Sequence, residues 1–122
     1  MRKKSVLLVD DDPDMIFIVR ELLKTMDLEV LTCEDGLDAL GILKSKKPDL
    51  VVSDVMLPGM DGIEFCESAK RDPETAAIPF FLLTAMNQDK AVPLMRKCGA
   101  DAFLAKPFEH VEFLTKVREL LK

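Results

Sequence analysis

The sequence predicts an α/β fold in which helices cover both faces of a doubly wound, five-stranded parallel sheet. Short apolar runs alternate with helical patterns five times along the chain. The central run, 49–53, lacks the polar–apolar alternation of a half-exposed strand, which indicates burial on both faces. No linker, repeat or low-complexity tract interrupts the series, so we expect residues 1–122 to form one domain.

The predicted strands are short apolar runs separated by charged residues or turn signals. The segment 54–62 contains a Pro-Gly and an Asp-Gly pair, which predict a loop after the third strand. The strands are 5–9, 28–32, 49–53, 78–83 and 102–104.

A helical pattern of apolar residues follows each strand. The first is the clearest, because Asp12 is a good N-cap and Pro13 occupies the first helical position, where its missing N–H costs little. Apolar residues then recur every three or four positions. The predicted apolar faces are Ile16, Val19, Leu22 and Leu23 in the first helix, Leu37, Leu40 and Leu43 in the second, Ile63, Phe65, Cys66 and Ala69 in the third, and Phe108, Val111, Leu114, Val117 and Leu121 in the fifth.

The fourth helix contains a proline. Gly99 suits its left-handed C-cap, but Pro93 in a helix interior costs about 3 kcal/mol. We therefore predict a late start near Ala91, which places Pro93 in the first turn. The preceding segment would then be a loop that offers Asn87 or Asp89 as the cap.

Composition argues against several classes of function. The net charge is −5 and no basic stripe is present, which disfavours direct binding to nucleic acid. The apolar runs fall far short of the roughly 18 residues of a membrane span and do not form a secretory signal, so we expect no membrane insertion and a cytoplasmic location. The three cysteines lack CxxC spacing and are interpreted as reduced thiols rather than a zinc site.

Three consecutive carboxylates, Asp10, Asp11 and Asp12, follow the first strand. Like charges this close repel unless a cation lies between them. Carboxylate oxygens without His or Cys nearby favour Mg²⁺, Mn²⁺ or Ca²⁺ over zinc. The alternative is that Asp12 caps the first helix and its neighbours are solvated.

Other strand ends carry suitable groups as well. Asp54 follows the third strand, Thr84 the fourth and Lys106 the fifth. The carboxyl ends of parallel strands lie along one edge of the sheet, so these groups and the acidic triplet can converge on one pocket. Each alone has an ordinary explanation: Asp54 could open a turn, Thr84 could cap a turn with its hydroxyl, and Lys106 could be a solvated lysine. Four strand ends with matching chemistry nevertheless favour a functional site.

This ordered set resembles the receiver domain of two-component response regulators, the chemotaxis-type phosphoacceptor. The resemblance covers nearly the whole chain and implies a flavodoxin-like strand order, 2-1-3-4-5. It also implies that a histidine kinase or phosphotransfer protein phosphorylates Asp54. The segments that carry it are 9–11 (VDD), 53–62 (SDVMLPGMDG), 83–85 (LTA) and 105–108 (AKPF).

The resemblance assigns roles to the other site residues. Asp11 would ligate Mg²⁺ directly, Asp10 directly or through water, and Asp54 and the Met56 carbonyl would complete the protein ligands. Lys106 would offset charge on the phosphoryl oxygens.

The family pattern extends beyond the metal ligands. Thr84 would donate a hydrogen bond to phosphate, and the bond before Pro107 would be cis. The fourth helix, fifth strand and fifth helix would face a downstream target or a fused output domain. The domain would be no conventional enzyme, although it promotes its own phosphorylation and dephosphorylation.

Three further positions affect expectations within this family. Phe103 stands where many members have Tyr, and it lacks the hydroxyl. Met56 and Met86 occupy the positions that flank the path of a hydrolytic water. Because thioethers neither orient nor deprotonate water well, we predict slow loss of phosphate.

Three alternative functions fit less well. A haloacid dehalogenase-type phosphatase needs an acidic pair after a late strand, and none follows Leu83 or Leu104. A flavin-binding electron carrier needs a Gly/Ser/Thr-rich phosphate loop where this chain has three aspartates. A pseudo-receiver that only makes protein contacts would not need the complete set of groups found here.

Overall fold

The computed structural model of the protein describes residues 3–122, in which strands and helices alternate throughout. The strands are β1 (Ser5–Val9), β2 (Glu29–Cys33), β3 (Leu50–Asp54), β4 (Phe80–Thr84) and β5 (Ala102–Ala105). The helices are α1 (Pro13–Lys24), α2 (Gly36–Lys46), α3 (Gly62–Arg71), α4 (Gln88–Cys98) and α5 (His110–Leu120). The predicted strand limits differ from these by at most two residues.

The five strands form a parallel sheet in the order β2-β1-β3-β4-β5. This order confirms the doubly wound fold and the 2-1-3-4-5 order predicted from the sequence. β1, β3 and β4 are almost wholly buried, as expected for central strands with helices on both faces. Within residues 3–122, no helix is long and apolar enough to span a membrane.

Each face of the sheet has its own apolar core. Leu7 and Val9 point to the face covered by α2, α3 and α4, where Phe65 packs edge-on against Phe80 with ring centroids 5.1 Å apart. The opposite face is covered by α1 and α5 and contains Leu8. The alternating side chains of one strand therefore contribute to two cores.

The loop after β3 is fixed by a close backbone approach at Gly62. A Cβ at this position would lie 2.1 Å from the Asp54 carbonyl oxygen. The Gly62 N–H also donates to the Val55 carbonyl at 2.8 Å. Asp61, directly before it, caps α3 by accepting from the Glu64 N–H. This packing holds the start of α3 against the end of β3.

The predicted late start of α4 is wrong. The helix begins at Gln88, and Pro93 lies in its interior. Asn87, one of the two predicted caps, accepts a hydrogen bond from the Lys90 N–H and so initiates the helix early. Because Pro93 has no backbone N–H, the Asp89 carbonyl loses its donor within the helix. Both residues are exposed, so water can supply the missing hydrogen bond.

The predicted apolar face of the last helix is also partly wrong. Phe108 precedes α5, and Val111 is 73% exposed. The buried residues are Phe113 and Val117. Phe113 sets the orientation of the helix, because its ring stacks between Phe81 and Phe108 with centroid distances of 5.5 and 5.3 Å.

Candidate functional site

The sheet brings the predicted site residues to one edge. Asp10 directly follows β1, Asp54 ends β3, Thr84 ends β4 and Lys106 directly follows β5. Thr84 pairs in register with Ala105, so Lys106 is the first residue beyond the ladder. These residues therefore lie at the same edge of the sheet, the edge formed by the carboxyl ends of the strands.

Three carboxylates form the centre of the site. One oxygen each from Asp10, Asp11 and Asp54 lies within 4.8 Å of the others. Asp10 is buried, Asp54 is largely buried and Asp11 is exposed. The cluster is therefore open to solvent on the side of Asp11.

Lys106 supplies the cation that faces this cluster. Its Nζ lies 3.2 Å from Asp10 Oδ2 and 3.3 Å from Asp54 Oδ2. The Lys106–Pro107 peptide bond is cis, and the Lys106 N–H donates to the Thr84 carbonyl at 2.8 Å. One positive charge thus contacts two of the three carboxylates.

Burial dominates the electrostatics of Asp10. Desolvation raises the pKa of its carboxyl, and the negative charge of Asp54 adds to the increase. The Asp12 N–H, which donates to Asp10 Oδ1 at 3.0 Å, and Lys106 oppose the increase in pKa. Asp10 therefore carries its charge at a cost that a second cation would reduce.

Asp12 has a second role that the sequence analysis missed. Its side chain accepts from the Asp14 N–H and caps α1, as predicted. Its backbone N–H, however, holds Asp10 in place. Residue type could not reveal this contact, since any residue except proline offers the same donor.

Thr84 is buried at the end of β4, and the residue before it, Leu83, pairs in register with Asp54. Its Oγ1 accepts a hydrogen bond from the Met86 N–H at 3.0 Å. A hydroxyl that accepts one bond still has its own hydrogen to donate. Phe103 and Met86 line a small cavity next to Thr84, under α4.

The two methionines of the site differ in exposure. Met56 is 66% exposed, and its N–H lies 3.4 Å from Asp54 Oδ1. Met86 is half-buried and packs against the core under α4. Only Met56 therefore presents its thioether to solvent near Asp54.

The donor set fits a hard divalent cation. Three carboxylates converge, two of them share a single lysine, and the exposed Asp11 makes no hydrogen bond or ion pair with the rest of residues 3–122. Oxygen donors with open solvent access match the preference of Mg²⁺, which retains several waters. Soft metals are disfavoured because no His or Cys joins the cluster within the described chain.

A doubly wound sheet with this acidic cluster and lysine at its carboxyl edge defines a class of phosphoacceptor signalling domains. Residues 6–118 match the family described as the response regulator receiver domain. The chain belongs to that family, whose members take the phosphoacceptor role in two-component signalling.

Three similar proteins illustrate the range of the family. The DNA-binding dual master transcriptional regulator RpaA of Synechocystis is 37% identical over 96% of this chain and 48% of its own length. The receiver domain of a signal transduction histidine kinase from Syntrophus aciditrophicus is 32% identical, with a TM-score of 0.90, and the match covers 97% of this chain and 89% of that one. Chemotaxis response regulator CheY4 of Vibrio cholerae is 28% identical, with a TM-score of 0.91, and the match covers 98% of this chain and 100% of that one. The chain spans about half the length of the curated relatives it matches first.

Proposed function

We propose that Asp54 accepts a phosphoryl group from the phosphohistidine of a sensor histidine kinase or phosphotransfer protein. The observation that carries this assignment is the position of the Asp54 carboxylate. It lies 3.3 Å from the Lys106 ammonium and joins Asp10 and Asp11 in one cluster at the open edge of the sheet. Asp54 is thereby oriented by a cation on one side and borders a candidate metal site on the other.

The transfer is a displacement at phosphorus. An oxygen of Asp54 forms the new O–P bond while the P–N bond of the donor breaks. The electron pair of that bond returns to the imidazole nitrogen, which takes up a proton from solvent. A carboxylate is a weak nucleophile, so the main contributions of the protein are position and charge compensation.

The residues that would hold Mg²⁺ are Asp10, Asp11, Asp54 and the carbonyl of Met56. When bound, Mg²⁺ would offset the charge of the carboxylates and of the incoming phosphoryl oxygens. Lys106 would balance the same charge from the opposite side. The Thr84 hydroxyl, with its hydrogen free to donate, would bond a phosphoryl oxygen after transfer.

Phosphorylation would change the surface formed by α4, β5 and α5. Lys106 and Thr84 connect the site to this surface, because the Lys106 N–H bonds the Thr84 carbonyl and Thr84 lines the cavity under α4. The partner that reads the change would be a separate target protein or a fused output domain. We expect the domain to act in the cytoplasm and to promote its own phosphorylation and dephosphorylation.

The test is labelling with a small-molecule phosphodonor in the presence and absence of Mg²⁺. Wild-type protein should gain one acid-labile phosphoryl group only when Mg²⁺ is present, and Asp54→Asn should gain none. Asp61→Asn is the matched control, since Asn also caps helices and Asp61 lies outside the cluster. Label that persists in Asp54→Asn on another residue would refute the assignment, and immediate release of inorganic phosphate would favour a phosphatase.

A further inference from the structure

Two cysteines meet where the middle of α3 packs against the carboxyl end of α4, away from the acidic cluster. Cys66 lies in α3 and Cys98 is the last residue of α4, and both are buried. The Cys66 thiol donates to the Cys98 carbonyl oxygen at 3.3 Å, and the Cys98 thiol donates to the Met95 carbonyl oxygen at 3.4 Å. The Cys66 thiol can turn instead toward the Cys98 sulfur, with which its side chain interacts. The two cysteines are thus neighbours across the α3–α4 contact, although 32 positions separate them in the sequence.

A surface cleft leads to this pair. It has a volume of about 320 Å³ and is lined by Cys98 and Gly99 together with charged residues from both helices. Three of those residues are cations, Lys70, Arg71 and Lys97, and one is an anion, Glu67. A small solute can therefore approach Cys98 through this cleft.

The contact makes the two thiols chemically unequal. The hydrogen bond from Cys66 lowers the pKa of Cys98 to about 7, against the opposing effect of its burial. The same hydrogen bond and burial raise the pKa of Cys66. Cys98 is thus the nucleophile of the pair, and Cys66 is a neutral thiol held beside it.

We propose that Cys66 and Cys98 form an oxidisable dithiol, in which peroxide entering the cleft converts the pair into a disulfide that joins α3 to α4. This site goes beyond phosphoacceptance and does not depend on it. Reversible disulfides of this kind in a reducing compartment serve catalysis or redox sensing more often than structure.

The reaction consumes one peroxide for each disulfide. The Cys98 thiolate attacks one peroxide oxygen, the O–O bond breaks, and the departing hydroxide takes up the thiol proton, which leaves a sulfenic acid and water. Cys66 sulfur then attacks the Cys98 sulfur and displaces hydroxide, which takes up the Cys66 proton as a second water. Two thiols are oxidised by two electrons and one peroxide is reduced.

The disulfide would constrain the end of the helix that faces partners. α4 ends at Cys98, and the Gly99 backbone N–H closes its last turn on the Met95 carbonyl. A covalent link from this point to α3 would limit displacement of α4 as a unit. Oxidation would therefore restrict any movement of the surface formed by α4, β5 and α5.

The test is oxidation of the complete chain with hydrogen peroxide under conditions that fully oxidise free glutathione. Accessible thiols after denaturation should fall from three to one, the mass should fall by two hydrogen atoms, and proteolysis without reductant should yield a linked Cys66–Cys98 peptide. Dithiothreitol should restore three thiols. Cys33→Ser is the matched control and should still form the link, whereas Cys66→Ser and Cys98→Ser should not.

Other products would overturn the proposal. Three free thiols after treatment would show that peroxide does not reach the pair. Cys98 oxidised to sulfinic acid without a link, or a disulfide between two molecules, would show that Cys66 does not resolve the oxidised sulfur. The peptide map of the wild-type protein decides these outcomes even where a serine variant folds poorly.

Discussion

The backbone N–H of Met86 donates a hydrogen bond to the Thr84 hydroxyl oxygen at 3.0 Å. Thr84 is buried, so water does not compete for this bond, and the hydroxyl oxygen stays oriented toward the loop after β4. The hydroxyl keeps its own hydrogen to donate. The hydroxyl thus connects the end of β4 with the segment that leads into α4.

Loss of this hydroxyl should destabilise the domain. We expect Thr84→Ala to lower the free energy of unfolding by about 1–3 kcal/mol relative to Thr84→Ser, because the Met86 N–H loses its acceptor. Both variants delete the same methyl group, so their difference isolates the hydroxyl. Urea denaturation followed by circular dichroism measures this difference in unfolding free energy between the two variants. Equal stabilities would mean that the bond contributes nothing.

Neutralising Asp10 should stabilise the metal-free domain. Burial and Asp54 raise the pKa of Asp10, so its charge opposes folding near neutral pH. Asp10→Asn should therefore raise the Tm in EDTA at pH 7. Saturating Mg²⁺ should reverse the order, because the wild type keeps the better metal site. A lower Tm for Asp10→Asn in EDTA would contradict this account of the site.

The raised pKa of Asp10 also decides how the stability difference between wild type and Asp10→Asn changes with pH. A carboxyl whose pKa is raised on folding contributes stability that is complete below its unfolded pKa and is lost as the pH rises through the folded value. The advantage of Asp10→Asn in EDTA should therefore shrink on acidification and vanish below about pH 4. Thermal melts across this range, with Asp61→Asn as control, measure the trend.

Asp11 should contribute more to Mg²⁺ affinity than Asp10. Asp11 is exposed and makes no polar contact with the rest of residues 3–122, whereas Asp10 already bonds Lys106 and the Asp12 N–H. We expect Asp11→Ala to weaken binding by at least about tenfold, the low end for losing a group that supports a metal site. Calorimetric titration of both alanine variants ranks them. A larger loss in Asp10→Ala would reverse the assignment.

Replacement of Pro93 should stabilise α4. Pro93→Ala restores an N–H that can bond the Asp89 carbonyl, and both positions are exposed, so little packing is lost. The gain in unfolding free energy should approach about 3 kcal/mol at most. Arg96→Ala, at another exposed position of the helix, should change stability much less. A loss of stability in Pro93→Ala would indicate that the ring makes contacts essential to the fold.

The phosphoryl group on Asp54 should be lost slowly, and Met56 should account for most of the delay. Met56 is the exposed methionine near Asp54, so Met56→Asn should speed decay by orienting water. Met86 packs under α4, and Met86→Glu should mainly destabilise the fold by burying a carboxylate. Decay of labelled protein in Mg²⁺ tests both. Unchanged decay in Met56→Asn would rule out shielding by this side chain.

The sequence predicted the five alternating strands and helices and the edge that carries the acidic residues because both depend on local signals, whereas the strand order followed from the resemblance to the receiver family. Asp10, Asp54, Thr84 and Lys106 each end an apolar run, and a parallel sheet aligns such ends. The start of α4 was missed because capping by Asn87 outweighed an exposed proline. The Cys66–Cys98 contact was also missed, since it depends on how two helices pack and leaves no pattern along the chain.

The ion pair between Lys106 and Asp10 spans 96 positions and includes a residue that follows the last strand. During synthesis, Asp10 and Asp54 emerge from the ribosome long before the lysine that faces them. Closing so large a loop is entropically costly, and the contact forms only when β5 docks. A nascent or truncated chain that ends before Lys106 cannot complete the site. The capacity to be phosphorylated would therefore distinguish chains that contain the whole receiver domain from shorter fragments, so that such fragments would not compete for the donor.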